Sequence, residues 1–251
     1  MNKALFETAM LYACPAWTER AKGKHWKSIL SAQQSALLMV TQAYRTTSHE
    51  ALQVLTGQMP LDIKLRLQAS QWLISHGRTS RIPDCETEEE ITESSLNQWQ
   101  DRWTSSTKGR HTFKVWQDVR DRMSQRYVEV DHYVSQLCTG HGDFNAKLHE
   151  MRLKTSPTCE CGEMETAEHV YPVYPKYTAA RRRWMAIVDG NTRTTNYWQS
   201  AFSKRRNSEA TKTYAHEIME SKRWPMRQPA NELTLGPDCA TSARSILGTT
   251  Q

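Results

Sequence analysis

The sequence predicts a mainly α-helical protein. It divides into a helical bundle over residues 1–77, an acidic linker over 78–94, a helical connector over 95–155 and a small Cys/His hairpin over 156–176. A basic helical region over 177–224 and a disordered tail over 225–251 complete the expectation. Three observations lead there. Apolar residues recur at three- and four-residue spacings, the period of a helix face. Glycines, prolines and Ser/Thr residues interrupt these stretches where helices are capped or stopped. Two cysteines and a histidine lie close together in "TCECGEMETAEHVYPVYP", residues 158–175.

Each element has its own sign. Over residues 25–44, Trp26, Ile29, Leu30, Leu37, Val40 and Tyr44 fall on one face of a long helix. Thr47 and Glu50 stand at capping-box spacing, ahead of Ala51, Leu52, Val54 and Leu55 and a stop at Gly57. Pro60 suits a first helical turn, and Leu61, Leu65, Trp72 and Leu73 form the stripe of a third helix closed by Gly77. The stretch "SRIPDCETEEEITESS" has six carboxylates and almost no apolar anchor, the pattern of a solvated linker or a fraying helix start. Past it, Leu96, Trp99 and Trp103 make one short stripe and Phe113, Trp116, Val119 and Met123 another, with the tryptophans read as core. Val134, Leu137 and Cys138 lead to a turn at "TGHGDF", where Gly140 and Gly142 flank His141; Phe144, Leu148 and Met151 follow. Ala180, Trp184 and Ile187 line a last helix that carries Arg181, Arg182 and Arg183, and Lys204, Arg205, Arg206, Lys222 and Arg223 extend the basic character.

Composition narrows the function classes. Hydrophobic residues make up 38% of the 251 positions and mean hydropathy is −0.73, which predicts an extended arrangement with polar connections. Lys and Arg outnumber Asp and Glu by 33 to 27, a net charge of +6 compatible with a polyanionic partner. No apolar run reaches the roughly 18 residues of a membrane span, so no membrane partner is expected. Glu7 and Thr8 interrupt the first apolar stretch, which therefore does not read as a signal peptide and favours an intracellular protein. Cys14, Cys85, Cys138 and Cys239 are far apart and are expected as free thiols.

The remaining cysteines carry the chemistry. Zinc favours thiolates and imidazole, and four such ligands can fold a loop too small for its own core. Cys159, Cys161 and His169 supply three; residues 170–174, where a fourth is expected, offer no good zinc ligand. His141 is a non-sequential candidate for the fourth position. A centre of two cysteines, one histidine and water, with Glu165 or Glu168 as base, is a further reading.

At this point the order of motifs resembles a family. The segments "LYACPAW", "SAQQSALLMVTQAYRTTSHEALQVLTGQMPLDIKLR", "GRHTFKVW", "VDHYVSQLCTGHGDFNAKLHEMRLKTSPTCECG" and "TAEHVYPVYPKYTAARRRW" resemble the region after the reverse transcriptase core in the Pol polyproteins of arthropod non-LTR retrotransposons that insert into ribosomal DNA. The likeness covers most of residues 9–188. It implies that residues 1–77 are thumb-like and that 156–176 is a zinc-knuckle-like motif of Cys-Cys-His-Cys type. Cys159, Cys161 and His169 take its first three ligand positions, and Tyr174, just before Pro175, stands where the fourth cysteine belongs. A phenol titrates near pH 10, so Tyr174 is a non-ligand and zinc binding is expected to be weak or lost.

The resemblance also implies a parent protein that is an RNA-directed DNA polymerase with endonuclease activity, used in target-primed retrotransposition. Its polymerase core would use Mg2+ held by an adjacent Asp-Asp pair, which this chain does not contain. Expected partners are RNA or DNA, namely element RNA and chromosomal target DNA, and the remainder of the Pol polyprotein. The expected location is nuclear with a cytoplasmic phase. Nucleic-acid contacts would fall to Arg181, Arg182, Arg183, Lys204, Arg205 and Arg206, with Tyr171 or Tyr174 stacking on unpaired bases. The other reading is a catalytically inert remnant, a fragment or decayed copy, or a protein-interaction scaffold.

Overall fold

Side-chain caps set the start of five helices in this chain among the described residues, at Ser48, Thr87, Asp118, Asp131 and Thr166. A computed structural model describes residues 3–188 and 197–222; the expected tail at 225–251, with Arg223 and Cys239, lies outside the described residues. Helices α1 (Lys3–Leu11) and α2 (Cys14–Trp17) lead through a 3-10 turn to α3 (Gly23–Thr41), α4 (His49–Thr56) and α5 (Leu61–Ser75). The cap of α4 is Ser48, whose hydroxyl accepts the Ala51 N–H at 3.3 Å; the neighbouring Thr47, expected in that role, is buried instead. Gln33 of α3 ties this helix to α4 and to the start of α5. Its amide donates to the Met59 carbonyl at 2.9 Å, and its oxygen accepts from Gln53 and from the Leu61 N–H.

The stripe on α5 is partly as expected. Leu61, Leu65 and Leu73 are buried, but Trp72 is 40% exposed and stacks on His76. At this end Gln71 reaches Thr92 of the next long helix, and Ser70 and Leu73 are the positions covered. That next helix, α6 (Glu88–Ser105), starts inside the stretch assigned to the acidic linker 78–94. Thr87 accepts the Glu90 N–H, and Glu90 accepts the Glu86 and Thr87 N–H groups, a capping box. Glu88, Glu89 and Glu90 thus occupy the first turn, where negative charge is favoured by the helix dipole. Ile91 is the anchor, with no exposed surface.

The expected helical stripe from Phe113 to Met123 is two short helices, α7 (Arg110–Val115) and α8 (Val119–Ser124), with Trp116 between them. Trp116 is 3% exposed and accepts the Trp103 indole N–H on its carbonyl at 2.8 Å, whereas Met123 lies at the surface. Helices α9 (His132–Thr139), α10 (Asn145–Glu150), α11 (Ala167–Val170), α12 (Thr178–Val188), α13 (Tyr197–Ser200) and α14 (Arg205–Ser221) complete the order. Among the described residues there is no strand, only an isolated bridge between Thr158 and Met164. No helix among them is long and apolar enough to cross a membrane. Cys14, Cys85 and Cys138 are free thiols.

The expected extended arrangement is not found. One apolar core runs from Val54 and Leu55 through Trp99, Trp103 and Trp116 to Val134, Tyr171, Trp184 and Tyr214, crossing both sides of the acidic stretch. A smaller cluster packs Cys14 of α2 on Leu61, Leu65 and Ala69 of α5. The low apolar count misleads because large aromatic side chains bury about 150–250 Å² each. Antiparallel α12 and α14 show the pattern: Trp184 stacks on Tyr214 with ring centroids 4.8 Å apart, and its indole donates to Thr211.

Asp131 joins α9 to α14. Its carboxylate accepts the Tyr133 and Val134 N–H groups as the cap of α9 and pairs with His216 at 2.7 Å. Burial opposes its ionisation, but the Val134 N–H and His216 outweigh burial and hold its pKa below the ordinary 3.8. A carboxyl with a lowered folded pKa contributes stability above its unfolded value and loses it as pH falls through the folded one. Unfolding free energy should therefore drop more steeply below about pH 4 in the parent than in Asp131→Asn, where the amide oxygen still caps α9. Identical acid titrations by urea unfolding would refute this.

Candidate functional site

The cysteine loop is shaped by its backbone before any metal is considered. The Cys159 N–H bonds the Glu163 carbonyl at 2.9 Å and the Gly162 N–H bonds the Cys159 carbonyl at 3.0 Å, a turn that projects Cys159 and Cys161 together. Gly162 has φ +89°, a conformation that disfavours side-chain-bearing residues. The Thr166 hydroxyl caps α11 by accepting the His169 N–H, and one turn later the His169 carbonyl accepts from Val173 and Tyr174. Imidazole and thiols converge: His169 Nε2 lies 3.4 Å from Cys159 Sγ and 3.2 Å from Cys161 Sγ.

These distances suit a shared metal. A tetrahedral zinc with usual bond lengths places its sulfur and nitrogen ligands about 3.5 Å apart. The three ligand atoms lie within 4.8 Å of one another, and among the described residues no fourth Cys, His, Asp or Glu joins them. Cys159 is buried and Cys161 exposed, so the centre sits at the edge of the core with one side toward solvent. Hydrogen bonding to Cys159 raises the Cys161 thiol pKa, so metal capture would release protons.

The structure corrects several expectations about the surroundings. His141 is not in the cluster; its Nδ1 lies 3.0 Å from the Thr46 hydroxyl. Glu165 and Glu168 are not poised as bases. Glu165 is buried in an ion pair with Lys222 and accepts the Asn145 N–H. Glu168 pairs with His111 and Lys114, whose hydrogen bonds, that of His111 foremost, pull its carboxyl down to about 2. Tyr171 is 1% exposed among Phe144, Trp198 and Tyr214, so its ring is core rather than a stacking platform. Tyr174 is 5% exposed, its ring between His169 and Tyr177 and its hydroxyl 3.4 Å from Glu160. Burial and the Glu160 carboxylate push its phenol up to about 12.

The basic residues separate by role. Arg181 donates to the carbonyls of Tyr171, Val173 and Tyr174 at 3.3 Å each, so it closes the loop after His169 instead of facing solvent. Arg183 pairs with Glu217 at 2.6 Å. Arg182 is exposed on α12, and Lys204, Arg205 and Arg206 are exposed at the start of α14, whose first turn holds no acidic residue. A second basic group was legible as "RAKGKHWK" but carries no motif: Arg20, Lys22, Lys24 and Lys27 are all exposed around the start of α3.

Comparison with known proteins finds relatives by sequence. The chain is similar to the retrovirus-related Pol polyprotein from type-1 retrotransposable element R1 4 of Nasonia vitripennis, at 29% identity over 92% of this chain and 61% of that protein. It is similar to the corresponding polyprotein of element R1 2 of the same species, at 33% identity over 67% of this chain and 44% of the relative. The R1 polyprotein of Bradysia coprophila matches at 28% identity over 72% of this chain and 19% of its own length. The chain thus spans 61% or less of these relatives. No family model matches it. No solved structure matches it either.

Proposed function

This chain belongs with the Pol polyproteins of non-LTR retrotransposons, and on that premise we propose that it is a nucleic-acid-binding region of such a polyprotein. One observation carries the reading. Lys204, Arg205 and Arg206 are exposed together at the positive end of a 17-residue helix whose first turn has no carboxylate. Cations there oppose the helix dipole, and a phosphate backbone relieves that repulsion while releasing counterions. Arg182 adds an exposed charge on the neighbouring helix. Element RNA and target DNA are the polyanions the relatives' biology would offer. Polymerase and endonuclease chemistry, with its Mg2+, would belong to other parts of the polyprotein, and a nuclear location with a cytoplasmic phase fits the same role.

The test is binding of single-stranded RNA and DNA by the full chain over a salt series. If Lys204, Arg205 and Arg206 each meet a phosphate, replacing all three by Ala should flatten the plot of log affinity against log salt by roughly 2. Arg181→Ala should leave that slope unchanged, since its guanidinium is spent on carbonyls. Weak binding with a shallow slope that the triple change does not alter would instead favour the inert remnant or protein-interaction scaffold.

A further inference from the structure

We propose that the Cys159, Cys161 and His169 centre binds zinc with an open fourth position, which takes a small nitrogen or sulfur donor from solution. Three observations on the chain carry this. The two sulfurs stand 3.4 and 3.2 Å from His169 Nε2, close to the spacing that one tetrahedral ion imposes. No other Cys, His, Asp or Glu among the described residues brings a ligand atom into the group. Tyr174, at the position after which Pro175 begins the next turn, directs its hydroxyl to Glu160, whose carboxylate is also 3.8 Å from Lys176.

The open side has a direction. Cys159 is buried, His169 is half-buried and Cys161 is exposed, as are Glu160, Gly162 and Glu163 around it. A structural zinc site closes all four positions with protein atoms, whereas three protein ligands leave a vertex for an exchangeable ligand. The borderline softness of zinc favours imidazole or thiolate over carboxylate at that vertex once two thiolates are bound. The centre is thus a ligand-accepting site on the surface. It does not depend on the nucleic-acid reading, which rests on other residues.

Cobalt substitution reads the vertex directly. The full chain, loaded with Co2+, should take up one equivalent and show the visible absorption of a tetrahedral thiolate site, and added imidazole should shift that absorption. Tyr174→Cys should bind Co2+ with sulfur-to-metal absorption raised by about half, three thiolates replacing two, and should not respond to imidazole. Cys161→Ser, at an exposed position, should lose the signal. Metal uptake only by Tyr174→Cys, or by neither chain, would overturn the proposal. So would a parent spectrum that ignores imidazole; if Cys239→Ser then made it responsive, Cys239 would be the fourth ligand. The salt dependence of RNA binding by the same preparations would report separately on the nucleic-acid reading.

Discussion

Arg122→Ala is expected to lower the unfolding free energy by about 3–5 kcal/mol, enough to unfold a marginal domain. Arg122 is 4% exposed, on α8. Its Nε and Nη2 donate to the Leu55 carbonyl at 3.1 and 2.8 Å, and Nη1 donates to the Gln125 carbonyl at 3.1 Å. The guanidinium also lies over the Trp116 ring. Leu55 is in the last turn of α4, where carbonyls have no partner within the helix, and a cation there complements the dipole. Burial lowers the Arg122 pKa to about 10, so it remains charged at neutral pH. Alanine would remove the fork and strand the Leu55 carbonyl in the core. Arg122→Lys, with charge but no planar fork, should fall between. Urea unfolding followed by tryptophan fluorescence measures both; a loss under about 1 kcal/mol for the alanine variant would show that α8 does not depend on this contact.

Lys222→Ala should cost a similar amount, about 3–5 kcal/mol, because it leaves the Glu165 carboxylate buried without its cation. The two side chains are 9% and 6% exposed. The consequence extends to the Cys/His loop. Glu165 donates its N–H to Pro157 at 3.0 Å and accepts the Ala146 N–H on its carbonyl at 3.2 Å, so it pins the base of the loop to α10. Lys222→Ala should therefore also weaken the proposed metal binding at Cys159, Cys161 and His169. The double change Lys222→Met with Glu165→Gln removes both charges and should recover most of the stability. A double variant as unstable as the single one would mean that packing, and not the unpaired charge, sets the cost.

The helices were legible because their signals are local. The 3.6-residue period placed α3, α5, α12 and the second half of α6, whereas the start of α6 at Thr87 and Glu90 was missed because it lies in a stretch whose charges read as a linker. The Cys/His triad was legible for the same reason: the turn at Gly162 and the cap at Thr166 lie within the loop itself. Other roles were not. Tyr171 and Tyr174 look like surface aromatics beside a basic helix, and α14, more than thirty residues later, is part of what covers Tyr171: the Tyr214 hydroxyl donates to its carbonyl at 2.5 Å. Arg181 sits in a run of three arginines that the sequence cannot rank, and only the folded path of residues 171–174 turns their carbonyls toward it.

By itself the sequence determined the helical class, the grouping of Cys159, Cys161 and His169 and the kinship, since each depends on residues near one another or on motif order. The tertiary structure decided which polar groups are buried, which cations face solvent, and that one core joins the segments on both sides of the acidic stretch. The reason is physical. Periodicity and caps act over a few residues, whereas burial depends on which distant surfaces meet, and a side chain such as Arg122 or Glu165 acquires its role only when another helix removes the water around it.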